Sequence, residues 1–143
     1  MTVFDLHHTV TAEEIDAQDH VHNLRYLRWA LWAAGKHLAS LGFNADVALD
    51  AGRGWVVRDH QITYRRAAKQ QDDVVIRTWI SDVRKYAVTR GFLITRQSDQ
   101  SILARGRTRW VYVDLRRHRA LMIPEEFQKS LFAVNTPPPP WER

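Results

Sequence analysis

The 143-residue sequence predicts an α+β domain in which an antiparallel sheet wraps around one long buried helix. Residues 24–41 are apolar around nearly the whole circumference of a helix, which is typical of a helix inside a core. After about residue 55 the apolar period changes from 3.6 to two, as it does in strands. Short turns join the strand segments, which favours antiparallel pairing because parallel strands need long crossovers.

The first predicted elements are a strand over residues 2–11 and, after an acidic loop, the long helix over residues 24–41. One side of this helix carries Leu24, Leu27, Leu31, Ala34, Leu38 and Leu41, at steps of three and four. At 1.5 Å per residue the helix is about 27 Å long, enough to cross the domain. Gly35 in its middle predicts close contact with a neighbouring backbone, and Gly42 predicts a C-cap.

Four further strands are predicted over residues 55–66, 74–82, 86–96 and 102–114. The last of them alternates most clearly. One face is predicted to hold Ile102, Ala104, Gly106, Thr108, Trp110 and Tyr112, and the other Leu103, Arg105, Arg107, Arg109, Val111 and Val113. Small residues on the first face are expected where the sheet curls closely around the helix. The partly basic second face is expected to meet water or an anion.

Composition predicts one folded domain over residues 1–136, followed by a polyproline II tail over residues 137–143. Hydrophobic residues make up 45% of the chain and six are tryptophan, which excludes general disorder. The absence of cysteine excludes disulfides, thiolate catalysis and cysteine-bound metals, and is typical of a cytoplasmic protein. No signal peptide and no membrane-spanning run are expected. The net charge of +5 favours anionic partners, although each basic cluster also suits a solvated face.

The loop before the long helix concentrates polar chemistry in few residues, since Asp16, Asp19, His20 and His22 all precede the apolar segment. A helix start carries unpaired N–H groups and a partial positive charge. A carboxylate beside it either acts on a polarised carbonyl or caps the helix, and both interpretations of Asp16 stay open on the local sequence. No metal and no other cofactor is expected. A zinc site needs three or four converging ligands, and in this cysteine-free sequence only histidines and carboxylates could supply them.

Several segments together resemble the 4-hydroxybenzoyl-CoA thioesterase-like family of hotdog-fold acyl-CoA thioesterases. The family pattern Asp-x-x-Gly-His-Val-Asn-Asn-x-x-Tyr is matched at Asp16, His20, Val21, Asn23 and Tyr26. Residues 57–68 with Asp72, residues 110–114 and residues 123–125 resemble its second strand, final strand and C-terminal segment. The resemblance extends from the first strand to about Phe127. The sequence departs from the pattern where Asp19 replaces glycine and His22 replaces asparagine.

The resemblance implies a hotdog fold and hydrolysis of an acyl-CoA to a carboxylic acid and free coenzyme A. It implies that Asp16 is the nucleophile or general base. The helix N-terminus around His22 and Asn23 would donate an N–H to the developing oxyanion. A thiol of pKa about 8.5 leaves readily as thiolate, so the leaving group needs little assistance. Asp19 in place of glycine is expected to narrow the site or to move its charge.

Substrate binding is expected from the same loop, from the second strand and from basic turns. Arginine forks suit the phosphates of coenzyme A. The candidate substrate-binding residues are His20, Tyr26, His60, Arg65, Arg66, Lys69, Arg84 and Lys85. His60 is alternatively a structural histidine, and Trp29, Trp32 and Trp55 either line an acyl tunnel or belong to the core. A homo-oligomer, a dimer or a tetramer, is expected because one sheet face or edge needs cover.

Three other functions compete with acyl-CoA hydrolysis. One is a hotdog enzyme acting on acyl carrier protein thioesters. Another is a hydratase, which would need an acid–base histidine and carboxylate signature that the sequence lacks. The third is a protein that binds a thioester or a nucleic acid without turnover, which the high pI of about 10.0 alone favours. No nucleic-acid-binding module is recognisable, so nucleic acid is not an expected partner.

Overall fold

The computed structural model describes residues 3–131 and 133. The strands are β1 (Val3–Thr9), β2 (Arg53–Tyr64), β3 (Asp73–Val83), β4 (Ala87–Arg96), β5 (Ile102–Asp114) and β6 (Arg119–Ala120). The helices are α1 (Asn23–Ser40), α2 (Ala45–Asp50) and α3 (Glu125–Gln128), and a 3-10 turn spans Ala12–Glu14. The predicted boundary at residue 136 and the proline-rich tail lie outside the described residues.

The main sheet has the strand order β1-β3-β4-β5-β2, every pair is antiparallel, and the short β6 extends from β5. Helix α1 packs mainly on β3, with further contacts to β1 and β4. Its buried face carries Tyr26, Trp29 and Ala33 against Ile76 and Phe92 of the sheet. The predicted five-stranded antiparallel sheet around one long helix is therefore confirmed, and the hotdog architecture follows from it. The prediction that the helix is buried around nearly its whole circumference was wrong, since Leu24 is 65% exposed and Trp32 is 43% exposed.

Both ends of α1 are set by local hydrogen bonds. At its start the His22 ring accepts a hydrogen bond from the Leu24 amide, so the cap is His22 and neither Asp16 nor Asp19. At its end the Gly42 amide donates to the Ala39 carbonyl and the Phe43 amide to the Leu38 carbonyl. Gly42 has φ +98°, the left-handed conformation that this termination motif requires. The predicted glycine stop is confirmed, and the cap interpretation of Asp16, one of the two left open, does not hold because His22 is the cap.

Gly35 does not serve the purpose that the sequence suggested. It lies on the exposed side of α1, and a Cβ placed there would meet no described atom within 4 Å. The prediction of a close backbone contact is therefore wrong. A glycine within a helix either permits a close contact or is simply tolerated at a small cost in helix stability. The exposed position of Gly35 agrees with the second explanation.

Replacement of Gly35 by alanine is expected to stabilise the domain by about 1 kcal/mol, because alanine loses less backbone entropy in a helix and needs only empty space here. Urea unfolding followed by far-UV circular dichroism measures the change. A destabilised variant would show that another surface, such as that of a second subunit, lies against this position.

Gly106 of β5 lies too close to β2 and to the core for any side chain. A Cβ at this position would clash with the Gln61 carbonyl oxygen, lie 2.7 Å from Phe92 Cζ and lie 3.0 Å from Ile62 Cα. The three atoms nearest to this Cβ belong to β2 and β4, so the close approach at Gly106 is between strands, whereas the sequence suggested an approach to the helix.

The face assignment of β5 was wrong at its first two residues. The pairing of β4 with β5 shifts between Ile94 and Thr95, which pair with Ala104 and Ile102 respectively. Ile102 consequently packs with Trp79 and Leu93 on the outer face, while Leu103 joins the core under α1. A β-bulge inverts the alternation at a point that periodicity alone does not reveal.

Candidate active site

The polar loop before α1 is a small hairpin held in place by backbone hydrogen bonds. Ile15 and Val21 form an isolated antiparallel bridge. The Asp16 amide donates to the His20 carbonyl at 2.8 Å, and the Val21 amide donates to the Ala68 carbonyl at 2.9 Å. Val21 is buried in the core, so its side chain anchors the loop. The loop therefore holds Asp16 in a defined position at the start of the helix.

The carboxylate of Asp16 is half-buried and held through one oxygen only. Its Oδ1 accepts hydrogen bonds from the Gln18 amide at 2.9 Å and from the His20 amide at 3.3 Å. Within the described part of the chain, no hydrogen bond reaches Oδ2. An ionised carboxylate with one oxygen fixed and the other open can accept a proton from water or attack a carbonyl carbon. The side chain of His20 points to no described partner and is exposed.

Asp19 has φ +64°, which explains why the resembled family has glycine at this point. The turn requires the left-handed conformation, which glycine adopts without strain and which aspartate tolerates better than most residues. The departure from the pattern therefore preserves the backbone of the loop. What Asp19 adds is an exposed negative charge three residues from Asp16.

The start of α1 leaves one free amide for a ligand. The His22 amide donates to the Glu14 carbonyl at 2.9 Å, and the Leu24 amide donates to the His22 ring at 3.2 Å. The Arg25 amide donates to the His22 carbonyl. Among the described residues, the Asn23 amide alone of these four meets no acceptor. Of the two residues predicted to supply a donor, His22 has its amide bonded and its side chain capping the helix, whereas the Asn23 amide has no described acceptor.

Two tyrosines bring the end of β2 to the start of α1. The Tyr64 hydroxyl donates to the Asn23 carbonyl at 3.1 Å, and the Tyr26 hydroxyl accepts from the Ala68 amide at 2.9 Å. The two rings make an edge contact with their centroids 5.5 Å apart. Burial raises the pKa of both hydroxyls, which stay protonated at neutral pH. Tyr26 is buried, and its hydroxyl holds Ala68, whose carbonyl in turn accepts from the Val21 amide of the loop.

The predicted phosphate-binding residues divide into two groups at opposite ends of the sheet. Arg65, Arg66 and Lys69 are exposed and directly follow Tyr64, at the same end as Asp16. Arg84 and Lys85 follow the far end of β3, about 33 Å along an 11-residue strand. Arg84 is also paired with Asp82 at 2.7 Å. Within one chain, only the first group can accompany Asp16.

His60 lies mid-strand on β2, on the sheet face that faces the core. One of its ring nitrogens, Nδ1, lies 2.8 Å from Thr108 Oγ1. Burial lowers the pKa of His60, against an opposing effect of the Asp59 charge. The imidazole is therefore mostly neutral at pH 7, and the residue as a whole is exposed.

A buried acid near the site was not predicted from the sequence. Glu14 is 6% exposed, and its Oε1 lies 2.7 Å from His8 Nε2 and accepts from the Thr11 amide at 2.9 Å. Its Oε2 accepts from the Trp29 indole at 2.7 Å. Glu14 thus joins β1, the loop and α1. The spacing of Thr11 and Glu14, a capping box, was the one signal in the sequence that indicated it.

Glu14 makes the free energy of unfolding depend on pH in the acidic range. Burial tends to raise its pKa, but the hydrogen bonds from the Thr11 amide, His8 and Trp29 outweigh burial and lower it below 4.5. The folded state therefore binds the proton less readily than the unfolded state, so this stabilisation is present above pH 4.5 and is lost as pH falls below it. Chemical denaturation from pH 3 to pH 7 is expected to show a smaller loss of stability on acidification for Glu14→Gln than for the wild type. Equal slopes would contradict this role.

Comparison with known proteins identifies the family. The family model described as "Thioesterase-like superfamily" matches residues 10–131, which include the loop, α1 and the whole sheet except β1. The chain belongs to the thioesterase-like superfamily. The prediction of a hotdog-fold thioesterase is thereby confirmed at the level of the family.

Two curated relatives of this thioesterase-like chain are plant enzymes. A chloroplastic palmitoyl-acyl carrier protein thioesterase of Cuphea hookeriana is 29% identical over 86 residues, 59% of this chain. A chloroplastic acyl-[acyl-carrier-protein] hydrolase of Cuphea viscosissima is 29% identical over 77 residues, 54% of this chain. The chain aligns with only 21% and 19% of the length of these relatives.

Solved structures share the fold at low sequence identity. A 1,4-dihydroxy-2-naphthoyl-CoA thioesterase from Synechocystis superposes with a TM-score of 0.85 at 17% identity, covering 94% of this chain and 99% of that one. A Staphylococcus aureus protein solved in complex with CoA has a TM-score of 0.85, also at 17% identity. The match covers 96% of this chain and 90% of that one. At such identities the likeness establishes the fold.

No group of three or more histidine, aspartate or glutamate side chains in the described part of the chain is arranged to hold a metal ion. No helix between residues 3 and 131 has the length and apolar character needed to cross a bilayer.

Proposed function

We propose that the protein hydrolyses acyl-CoA thioesters with Asp16 as the catalytic carboxylate and the Asn23 amide as the oxyanion donor. The single observation that carries this proposal is the joint placement of the two groups. Asp16 is held by its own turn with one oxygen open, and the loop leads directly into a helix whose Asn23 amide meets no described acceptor. Negative charge that develops on a carbonyl oxygen is stabilised by such an amide and by the positive end of α1.

The reaction requires few further groups. Asp16 either removes a proton from a water that attacks the carbonyl carbon, or attacks that carbon itself to give an anhydride that water then hydrolyses. In both routes the carbon–sulfur bond breaks and coenzyme A leaves as a thiolate. Because a thiolate of pKa about 8.5 is a good leaving group, no general acid is needed to protonate it. The half-buried carboxylate and one amide donor are sufficient for this chemistry.

The nucleotide end of coenzyme A is proposed to bind at Arg65, Arg66 and Lys69. These residues follow Tyr64, whose hydroxyl contacts the carbonyl of Asn23, so their positive charges lie at the catalytic end of the sheet. Guanidinium groups match the geometry of phosphate oxygens. Arg84 and Lys85 would contribute only across an interface with a second subunit.

A homo-oligomer is part of the proposal, since an acyl group bound beside the half-buried Asp16 needs a further wall. Strand β2 is a 12-residue edge of the sheet with most of its side chains exposed, among them His60 and Tyr64. Long unprotected edges pair readily with another strand. A second copy at β2 would cover the exposed side chains of His60 and of Tyr64, which contacts the start of α1, in a dimer or in a tetramer. A cytoplasmic location remains the expectation from the cysteine-free composition.

Acyl carrier protein thioesters are the second candidate substrates. The observation that favours them is that both curated relatives are named for action on acyl carrier protein. The thioester chemistry at Asp16 would be identical. The difference would lie in the basic residues after β2, which would contact an acidic carrier protein instead of a nucleotide.

Thiol release measured with a chromogenic reagent tests the function. Matched acyl-CoA and acyl carrier protein esters of the same acyl groups are compared, from short aliphatic to aromatic. Acyl-CoA hydrolysis well above the spontaneous rate is expected, with a KM raised about tenfold or more in the double variant Arg65→Gln with Arg66→Gln. Turnover of acyl carrier protein esters alone would select the second candidate, and no release from any ester would contradict both.

A further inference from the structure

Glu14 is a buried charge next to the polar loop that the proposed reaction does not use. It is 6% exposed and lies two residues before Asp16. Its Oε1 accepts hydrogen bonds from the Thr11 amide at 2.9 Å and hydroxyl at 3.2 Å, and lies 2.7 Å from His8 Nε2. Its Oε2 accepts from the Trp29 indole at 2.7 Å. Because burial excludes water and both oxygens already have donors, Glu14 offers no open oxygen to a substrate.

The backbone of Glu14 is tied to the start of α1. Its carbonyl accepts a hydrogen bond from the His22 amide at 2.9 Å. The next amide along the chain is that of Asn23, which meets no acceptor among the described residues. Only the two dihedral angles of His22 separate the fixed amide from the free one, because each peptide group is planar. The position of the Glu14 carbonyl therefore helps to set the direction of the proposed oxyanion donor.

The same residue closes the hairpin that carries Asp16. Ile15 and Val21 form an antiparallel bridge, and the hydrogen bond to the Glu14 carbonyl lies one residue beyond it, at the base of the hairpin. Asp16 lies one residue inside the bridge, and Asn23 follows directly after the base. Glu14 is therefore the point at which the two groups of the proposed reaction are joined.

The side chain of Glu14 fixes the same segment against the helix. Trp29 is 2% exposed on the buried face of α1, six residues after Asn23 and about 9 Å along the helix axis. Its ring contacts those of His8 and Tyr26, with centroids 5.3 Å and 5.2 Å away. This packing immobilises the indole, so its bond to Glu14 fixes where the polar loop meets α1. A slide or rotation of the helix relative to the loop would break that bond.

We propose that Glu14 is a positioning residue for the thioester reaction proposed above, on which this inference rests. It acts through the Trp29 indole and the His22 amide. These contacts hold the Asn23 amide and the Asp16 carboxylate in the relative position that hydrolysis requires, and Glu14 itself touches no reacting atom. A misplacement of reacting groups by about 1 Å can cost about 10²-fold in rate. The residues proposed to bind the nucleotide lie outside this network, so the loss of Glu14 should lower kcat and leave KM nearly unchanged.

Glu14→Gln is the variant that tests the proposal. Glutamine has nearly the same shape, but it has one oxygen where the carboxylate has two, so its NH2 group must face a donor, either the Thr11 amide or the Trp29 indole. Its kcat for acyl-CoA is expected to fall about 10- to 100-fold, while KM changes by less than about threefold. Steady-state thiol release measures both constants, with kcat expressed per folded molecule after circular dichroism at the assay temperature. Glu13→Gln is the matched control, since it removes the same charge from the neighbouring exposed residue, and its kcat should equal that of the wild type.

A double variant separates positioning from a general loss of packing. Trp29→Phe keeps an aromatic ring and removes the indole donor, so it breaks the same link as Glu14→Gln from the other side. Two changes that break one link cost no more together than the larger of them alone, whereas independent changes multiply their effects. We expect the kcat of Glu14→Gln with Trp29→Phe to be no lower than that of Glu14→Gln. A kcat reduced by the product of the two single losses would contradict the proposed link.

Asp16→Asn, measured beside these variants, distinguishes failure of this inference from failure of the function. If Asp16→Asn loses turnover and Glu14→Gln keeps the wild-type kcat per folded molecule, Glu14 has only a structural role and the inference is overturned. If Asp16→Asn keeps full activity, the proposed function fails and the inference fails with it. Should Glu14→Gln not fold, Trp29→Phe alone decides: a lower kcat at an unchanged KM supports the link, and an unchanged kcat overturns it.

Discussion

The Asp16→Asn variant is expected to lose about 10³-fold or more in kcat, with little change in stability. Asparagine retains an oxygen that can accept from the Gln18 and His20 amides, so the turn that holds the side chain survives. What disappears is the charge that we propose abstracts a proton or attacks the carbonyl, a contribution that is typically two to four orders of magnitude in rate. Steady-state thiol release at saturating acyl-CoA measures the loss.

Asp19→Asn is the matched control for this variant. It removes the same charge from the same loop, and asparagine tolerates the left-handed φ of +64° as aspartate does. Its kcat should stay within a few-fold of the wild type. Equal losses in both variants would show that the loop's negative charge matters in general and that Asp16 has no special role.

Gly106→Ala is expected to destabilise the domain by about 3 kcal/mol, the largest effect on stability that we predict. The added methyl would overlap the Gln61 carbonyl oxygen of the neighbouring strand and press on Phe92 of the core at 2.7 Å. Strand pairing fixes the carbonyl and burial fixes the ring, so neither can move freely. Urea unfolding measures the loss as a lower midpoint with an unchanged slope.

Gly35→Ala provides the comparison within the same chain. The two substitutions add the same methyl group, one against packed atoms and one into space, and opposite signs are expected for them. A Gly106→Ala variant as stable as the wild type would mean that β5 and β2 are not packed as closely as the structure describes.

The sequence predicted the main framework well, because its signals are periodic and long. Strand β5 occupies residues 102–114 as predicted, and α1 begins at Asn23, one residue before the predicted start. The glycine stop at Gly42 was predictable because left-handed φ restricts residue choice. Helix α2 was missed, since six residues capped by Asn44 form too short a segment to show a period.

The details of the site were less predictable, because they depend on contacts between residues that are distant in sequence. The His22 cap and the engagement of the His22 amide by Glu14 show which helix amide stays free, and only the folded loop reveals this. The Glu14 network joins residues from β1 to α1.

The most direct test of the account is a crystal structure of the protein with a nonhydrolysable acyl-CoA analogue, in which a ketone replaces the thioester. The ketone oxygen is expected to accept a hydrogen bond from the Asn23 amide, with the carbonyl carbon facing the open oxygen of Asp16. An analogue bound with its carbonyl away from the start of α1, or with Asp16 turned from it, would contradict the proposed catalytic site.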